Sequence, residues 1–173
     1  VNIFAHLIRL EEFQFRKVKY YSIQIEGSEV NEFYDFLNRM EDIESFEEDL
    51  SNLMVWIEEI GENYGAQQKF FRNESETADV RALPPPRNQM RLRKIEVNEM
   101  RLYCMVLNEH VVILFNGGIK TTDKAQQCPN VGPYFKQANR FTLQLDQLLK
   151  DGEINWDSDF TDIEFDKNLE IEL

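Results

Sequence analysis

The chain of 173 residues has two cysteines, two histidines and no apolar run of membrane-spanning length. Cys104 and Cys128 are too few for a disulfide framework and lack the C-x-x-C spacing of a metal site. That usage fits a reducing compartment, most simply the cytoplasm. Cys104 lies in an apolar strand pattern and reads as a small core residue, while Cys128 is expected in an exposed loop. His6 and His110 are far apart in sequence. A spanning helix needs about 20 apolar residues, so the composition reads as soluble. The opening VNIFAHLIRLEEF has no basic stretch leading into an apolar one, so it does not read as a signal peptide. No glycine-rich phosphate loop is found, because Asn116-Gly117-Gly118 lacks the strand–GxGxxG–helix setting. No cofactor motif and no metal-ligand cluster is read.

What is abundant is acid. The net charge is −13, but it is unevenly spread. Residues 1–80 hold 18 acids and 7 bases, and residues 151–173 hold 9 acids and 1 base. Residues 81–150 reverse the sign, with 11 bases and 5 acids. A local positive field docks a polyanion whatever the total charge, so this middle segment points to a nucleic-acid partner.

Periodicity predicts the elements. Residues 13–26 alternate as a half-buried strand, with Lys17 and Lys19 in the register of Phe13, Phe15, Tyr21, Ile23 and Ile25. Ser28 is a candidate N-cap for a helix with the stripe Val30, Phe33, Tyr34, Leu37 and Met40. Ser45-Phe46-Glu47-Glu48 reads as a capping box, followed by Leu50, Leu53, Met54, Ile57 and Ile60 and ended by Gly61. The acids of this helical hairpin are expected on a solvated face.

Residues 62–90 read as a connector, with Lys69-Phe70-Phe71-Arg72 brushing the sheet and Pro84-Pro85-Pro86 stiff and extended. Strands are predicted over 91–97, 101–107 and 111–115, joined by hairpins at 98–100 and 108–110. Pro133 opens a final helix with the stripe Phe135, Ala138, Phe141, Leu145, Leu148 and Leu149, closed by Gly152. The tail 153–173 has the aromatic anchors Trp156, Phe160 and Phe165 and ends in the alternating Leu169-Glu170-Ile171-Glu172-Leu173. The order is β-α-α-β-β-β-α plus a tail. It predicts an α+β domain with a mostly antiparallel sheet and helices on one face.

Within that order, Arg101-Leu102-Tyr103-Cys104 is followed by Ile113-Leu114-Phe115-Asn116-Gly117-Gly118-Ile119-Lys120-Thr121-Thr122-Asp123-Lys124, then by Pro129 and Ala138. In these residues the chain resembles the RelE/HigB toxin superfamily, most nearly its phage-derived HigB-like branch. The likeness extends over about 13–150 as topology and is specific over about 91–140. It divides the chain into a RelE/HigB-like domain, 1–152, and an acidic C-terminal extension, 153–173. The chain is more acidic and longer than is typical for that superfamily. It has Lys-Thr where the HigB-like pattern more often has Lys-Lys, and no histidine in its last helix or tail.

The resemblance implies a toxin of a toxin–antitoxin system. Such a toxin is a metal-independent endoribonuclease without a cofactor, cutting messenger RNA at the ribosome and restrained by a cognate antitoxin. The 2′-hydroxyl attacks the adjacent phosphate, and rigidly placed cations stabilise the charge that builds there. By this resemblance Lys120, Arg93, Arg101 and Tyr103 are the catalytic candidates, and Arg91, Lys94 and Lys124 the RNA-binding ones. Strand alternation would put Arg91 and Arg93 on one face and Lys94 on the other.

The opposite charges of tail and middle segment further suggest that 153–173 folds back onto 81–150 as a segment acting in cis. Its terminal strand pattern would add to a sheet edge. Two alternatives stand beside the nuclease: a non-catalytic interaction protein on the same fold, and a gyrase-directed ParE-like toxin.

Overall fold

The computed structural model describes residues 2–74, 78–121 and 128–173. The segment read as one strand over 13–26 is a hairpin. β1 (Phe4–Gln14) turns at residues 15–18 into β2 (Lys19–Ile25), antiparallel to it. No glycine or proline marks this turn. Phe15 donates to the Val18 carbonyl within the turn, and two N–H groups are satisfied from a distance: Lys17 and Val18 both donate to the carbonyl of Gly61, at 2.8 and 3.0 Å.

Helix α1 (Glu32–Glu41) follows, capped by Asn31 rather than Ser28. The Asn31 side chain accepts from the Tyr34 N–H at 2.9 Å. Helix α2 (Glu47–Glu59) begins after a single 3-10 turn at Glu44–Phe46 and has no side-chain cap, so the capping box does not form. Its last turn does not stop at Gly61 but widens into a π turn through Tyr64.

The short strands β3 (Arg72–Asn73) and β4 (Arg81–Leu83) pair with each other. Thus Arg72 does join the sheet.

The strand expected at 91–97 is absent. After the proline run the chain forms the short helix α3 (Arg87–Arg93), which Lys94 ends in a left-handed conformation. Residues 95–98 then lie along α2, where their backbone groups find partners. Trp56 donates to the Ile95 carbonyl and Asn52 to that of Glu96, and Asp49 accepts from the Asn98 N–H. With those groups bonded to side chains of α2, little remains for a strand ladder.

β5 (Met100–Asn108) and β6 (Val111–Ile119) form the expected hairpin, and β6 runs on through its glycine pair. Helix α4 (Gly132–Lys150) has Pro133 in its first turn. It ends in paired 6→1 and 5→2 hydrogen bonds around Gly152, whose φ of 76° suits glycine. The tail contributes a small hairpin, β7 (Ile154–Trp156) with β8 (Ile163–Phe165), and a last strand, β9 (Ile171–Glu172).

The large sheet has the order β3-β4-β5-β6-β2-β1-β9. Every neighbouring pair is antiparallel except β2 with β6, so the sheet is mixed. The protein is α+β, but its helices do not share one face. One core lies between the sheet and α1 and α2, built on Tyr20, Phe33, Phe36, Leu53 and Trp56. A second lies under α4 and the tail, built on Tyr21, Ile23, Tyr103, Phe115 and Phe141. Adjacent residues Tyr20 and Tyr21 feed opposite cores, as strand alternation requires. Among the described residues no helix is long and apolar enough to cross a membrane.

Candidate functional site

Arg101 anchors the site. It lies opposite Gly118, and alternation along β5 puts it on the α4 side with Tyr103 and Met105. Just past β6, Lys120 donates its N–H to the Glu99 carbonyl at 2.7 Å, extending the ladder. That phase places Lys120 on the same side as Gly118 and Arg101. Lys120 thus lies one residue beyond β6 and is held to the end of β5 by that hydrogen bond.

Two arginines that the sequence did not single out join Arg101. Arg72 pairs with Ala82, which pairs with Tyr103, so Arg72 stands on the same face. Its guanidinium is steered by the carbonyls of Pro84 and Pro85, at 3.0 and 3.2 Å. Arg87 comes from the first turn of α3. Burial lowers the Arg72 guanidinium to about 10, helped by the charges of Arg101 and Arg87 and opposed by Glu74. Burial likewise lowers Arg101, with Glu74 and Tyr103 opposing and Arg87 adding to it. Three cations from β3, α3 and β5 therefore lie within electrostatic reach of one another. The signal for Arg87 was its place in the basic segment. Arg72 lies outside it and is brought in only by sheet pairing.

Among the described residues, Arg101 Nε and the Tyr103 hydroxyl are buried here without a hydrogen-bond partner. The Tyr103 ring is fully buried and stands edge-on to Phe135 in the first turns of α4, with centroids 5.6 Å apart. Burial, and then the charge of Glu74, push its phenol well above the ordinary tyrosine range. At neutral pH Tyr103 is a hydrogen-bond donor, not a base.

The other candidates do not gather here. Arg93 is a helix residue that lies over Tyr64 and Phe70, at 4.8 and 4.9 Å from the ring centroids, and donates to Gln89. Those rings belong to the core on the far side of the sheet. Because residues 91–94 are not a strand, the alternation expected of Arg91, Arg93 and Lys94 does not exist. Arg91 and Lys94 are exposed on and just after α3. Lys124 lies outside the described residues.

Cys128 is buried, not exposed. Burial opposes its ionisation. The Thr121 N–H at 3.4 Å, the Thr121 hydroxyl and the N–H groups of Asn130 and Val131 outweigh that, and lower the thiol to about 6. The folded value lies below the unfolded one. The thiolate therefore favours the fold above the unfolded pKa, and that contribution is lost as pH falls through about 6. A 240 nm thiolate titration of the native chain should show one midpoint near that value, missing in Cys128→Ser. A native midpoint above the ordinary thiol value would refute it. Burial pushes Cys104 far up, so it stays silent.

A second polar group braces the site. Alternation along β6 puts Asn116 on the α1 side with Val112 and Leu114. There its amide donates to Asp35 at 2.8 Å, and its oxygen accepts from Arg39. Arg39 also donates to the Gly117 carbonyl at 2.7 Å and stacks over Tyr134, 4.5 Å from the ring centroid. Burial, and then Asp35, raise the neighbouring Glu32 carboxyl. This network ties α1 and α4 to the stretch of β6 that carries Gly118 and leads into Lys120.

Among the described residues no cluster of three or more histidine, cysteine or acidic side chains is placed to hold a metal ion. No family model, curated protein or solved structure matches this chain, so the functional reading rests on the residues and their geometry alone.

Proposed function

We propose that the chain is a toxin of the RelE/HigB kind that cleaves messenger RNA, with a cognate antitoxin as its restraining partner. What supports this reading is that Arg72, Arg101 and Lys120 stand on one face of the sheet, with Arg87 sharing a cleft with Arg72. In the reaction the 2′-hydroxyl gives up its proton to water as its oxygen attacks the adjacent phosphorus. The bond to the 5′-oxygen breaks and that oxygen takes a proton from water, so a cyclic phosphate and a free 5′-hydroxyl result. Negative charge grows on the phosphate oxygens and the leaving oxygen. Preorganised guanidiniums in a partly buried site stabilise it better than water does. Tyr103, neutral and fully buried, stands behind Arg101 without touching the substrate in this scheme, and Arg93 takes no part.

Tightly controlled expression in bacteria tests the reading. The wild-type chain should arrest growth and produce new messenger-RNA ends. Arg101→Ala should lower cleavage about 100-fold, the usual cost of removing one transition-state donor. Normal growth with intact RNA would overturn the nuclease reading. A binding-only protein on this fold is the second reading, favoured by the full burial of Tyr103. It predicts RNA binding without cleavage.

A further inference from the structure

Next to Arg101 the arginines form a second constellation. A cleft of about 220 Å³ opens between the sheet edge and α3, lined by Arg72, Arg87 and Arg91 together with Glu96 and Asn98. Arg87 and Arg91 are four apart on α3, so their side chains share a helix face. Both are exposed, and among the described residues no ion pair involves either of them or Arg72. Glu96 is the acid in the lining. Like charges repel, and here the backbone holds them together: Arg72 through the carbonyls of Pro84 and Pro85, Arg87 and Arg91 through the helix. Planar guanidinium forks match the oxygens of a phosphate better than point charges do.

We propose that this cleft is a phosphate-binding subsite, taking the phosphate of the nucleotide next to the one held at Arg101. The proposal rests on the RNA reading above. Arg72 stands on the Arg101 face, across β4 from Tyr103, and also lines the cleft, which makes the two subsites contiguous. The site then recognises a run of at least two backbone phosphates, without regard to base.

The test uses the full chain and a short 2′-O-methyl RNA, which binds but offers no 2′-hydroxyl for attack. Fluorescence anisotropy is read across a salt series. The double variant Arg87→Gln, Arg91→Gln should bind about tenfold more weakly at 0.15 M salt. Its log-affinity slope against log salt should be shallower by about 0.7, the value for one single-strand phosphate contact. Glu96→Gln should tighten binding about threefold. These side chains are exposed, so the variants should melt with the wild type.

Equal affinity and slope for wild type and double variant would overturn the subsite, while RNA binding itself would keep the functional reading. A parallel arm replaces RNA with inorganic pyrophosphate and reads the melting temperature. If pyrophosphate stabilises the wild type but not the variant, and RNA does not bind, the cleft serves a free phosphate compound and the RNA proposal falls. If neither ligand distinguishes the two proteins, the cleft holds no phosphate.

Discussion

Removal of residues 153–173 is expected to unfold the chain, not to release an active core. Ile154, Ile163 and Ile171 are each at most 4% exposed and belong to the core under α4. Burying an isoleucine contributes about 1.5–3 kcal/mol, so three amount to roughly 5 kcal/mol or more, comparable with the whole stability of many domains. The deletion also strips β9 from β1, where Phe4 pairs with Glu172 and Ala5 with Ile171. Circular dichroism on heating checks this. A truncated chain that melts with the wild type would refute it.

The milder change Asp162→Asn probes the same docking. Asp162 accepts from Arg9 at 2.6 Å and from the Tyr21 hydroxyl at 2.5 Å, and Arg9 lies over the Tyr21 ring. Burial works against the carboxylate, but those two donors outweigh it and hold Asp162 below the ordinary carboxylate range. Its contribution is therefore present above the unfolded pKa of about 4 and is lost as pH falls through the lower folded value. Asp162→Asn should cost about 2 kcal/mol at neutral pH, typical for bonds to a charged group, and should flatten the acid limb of the stability curve. Among the described residues the tail's one ion pair is this one to β1, and the tail meets the segment 81–150 through apolar packing under α4 and the Asn108 amide, which donates to the Phe160 carbonyl at 2.7 Å. An assay for a regulatory tail therefore needs point variants, because truncation removes core.

Gly117→Ala is expected to cost about 3 kcal/mol, the upper end for overpacking, because the obstacle is backbone and not a movable side chain. A Cβ there would lie 1.9 Å from the Arg101 carbonyl oxygen. Relief requires β5 and β6 to part where Leu102 faces Gly117. That displaces Arg101 as well, so RNA binding should weaken together with the urea midpoint. An unchanged midpoint would show that the close approach is not required.

The parts legible in the sequence are those whose stabilising partners are local. The α4 stripe, its opening proline and its closing Gly152 all act within a few residues. So does the β5–β6 turn, where the Asn108 side chain accepts from the N–H groups of His110 and Val111. That Lys120 and Arg101 share a side was not legible, because the register between β5 and β6 shifts twice between the turn and Arg101.

What the sequence alone missed depends on distant partners. The turn at 15–18 is held by Gly61, and RLRKIEV alternates like a strand while its backbone bonds to α2. Local patterning says that a face is apolar but not which element covers it, so the two-sided core was hidden. By itself the sequence determined the α+β class, the basic segment and the hairpin of β5 and β6. Only the tertiary structure decided that Arg72 and Arg87 join Arg101 while Arg93 leaves it, because strand order and the site of α3 are set by packing across the whole sheet.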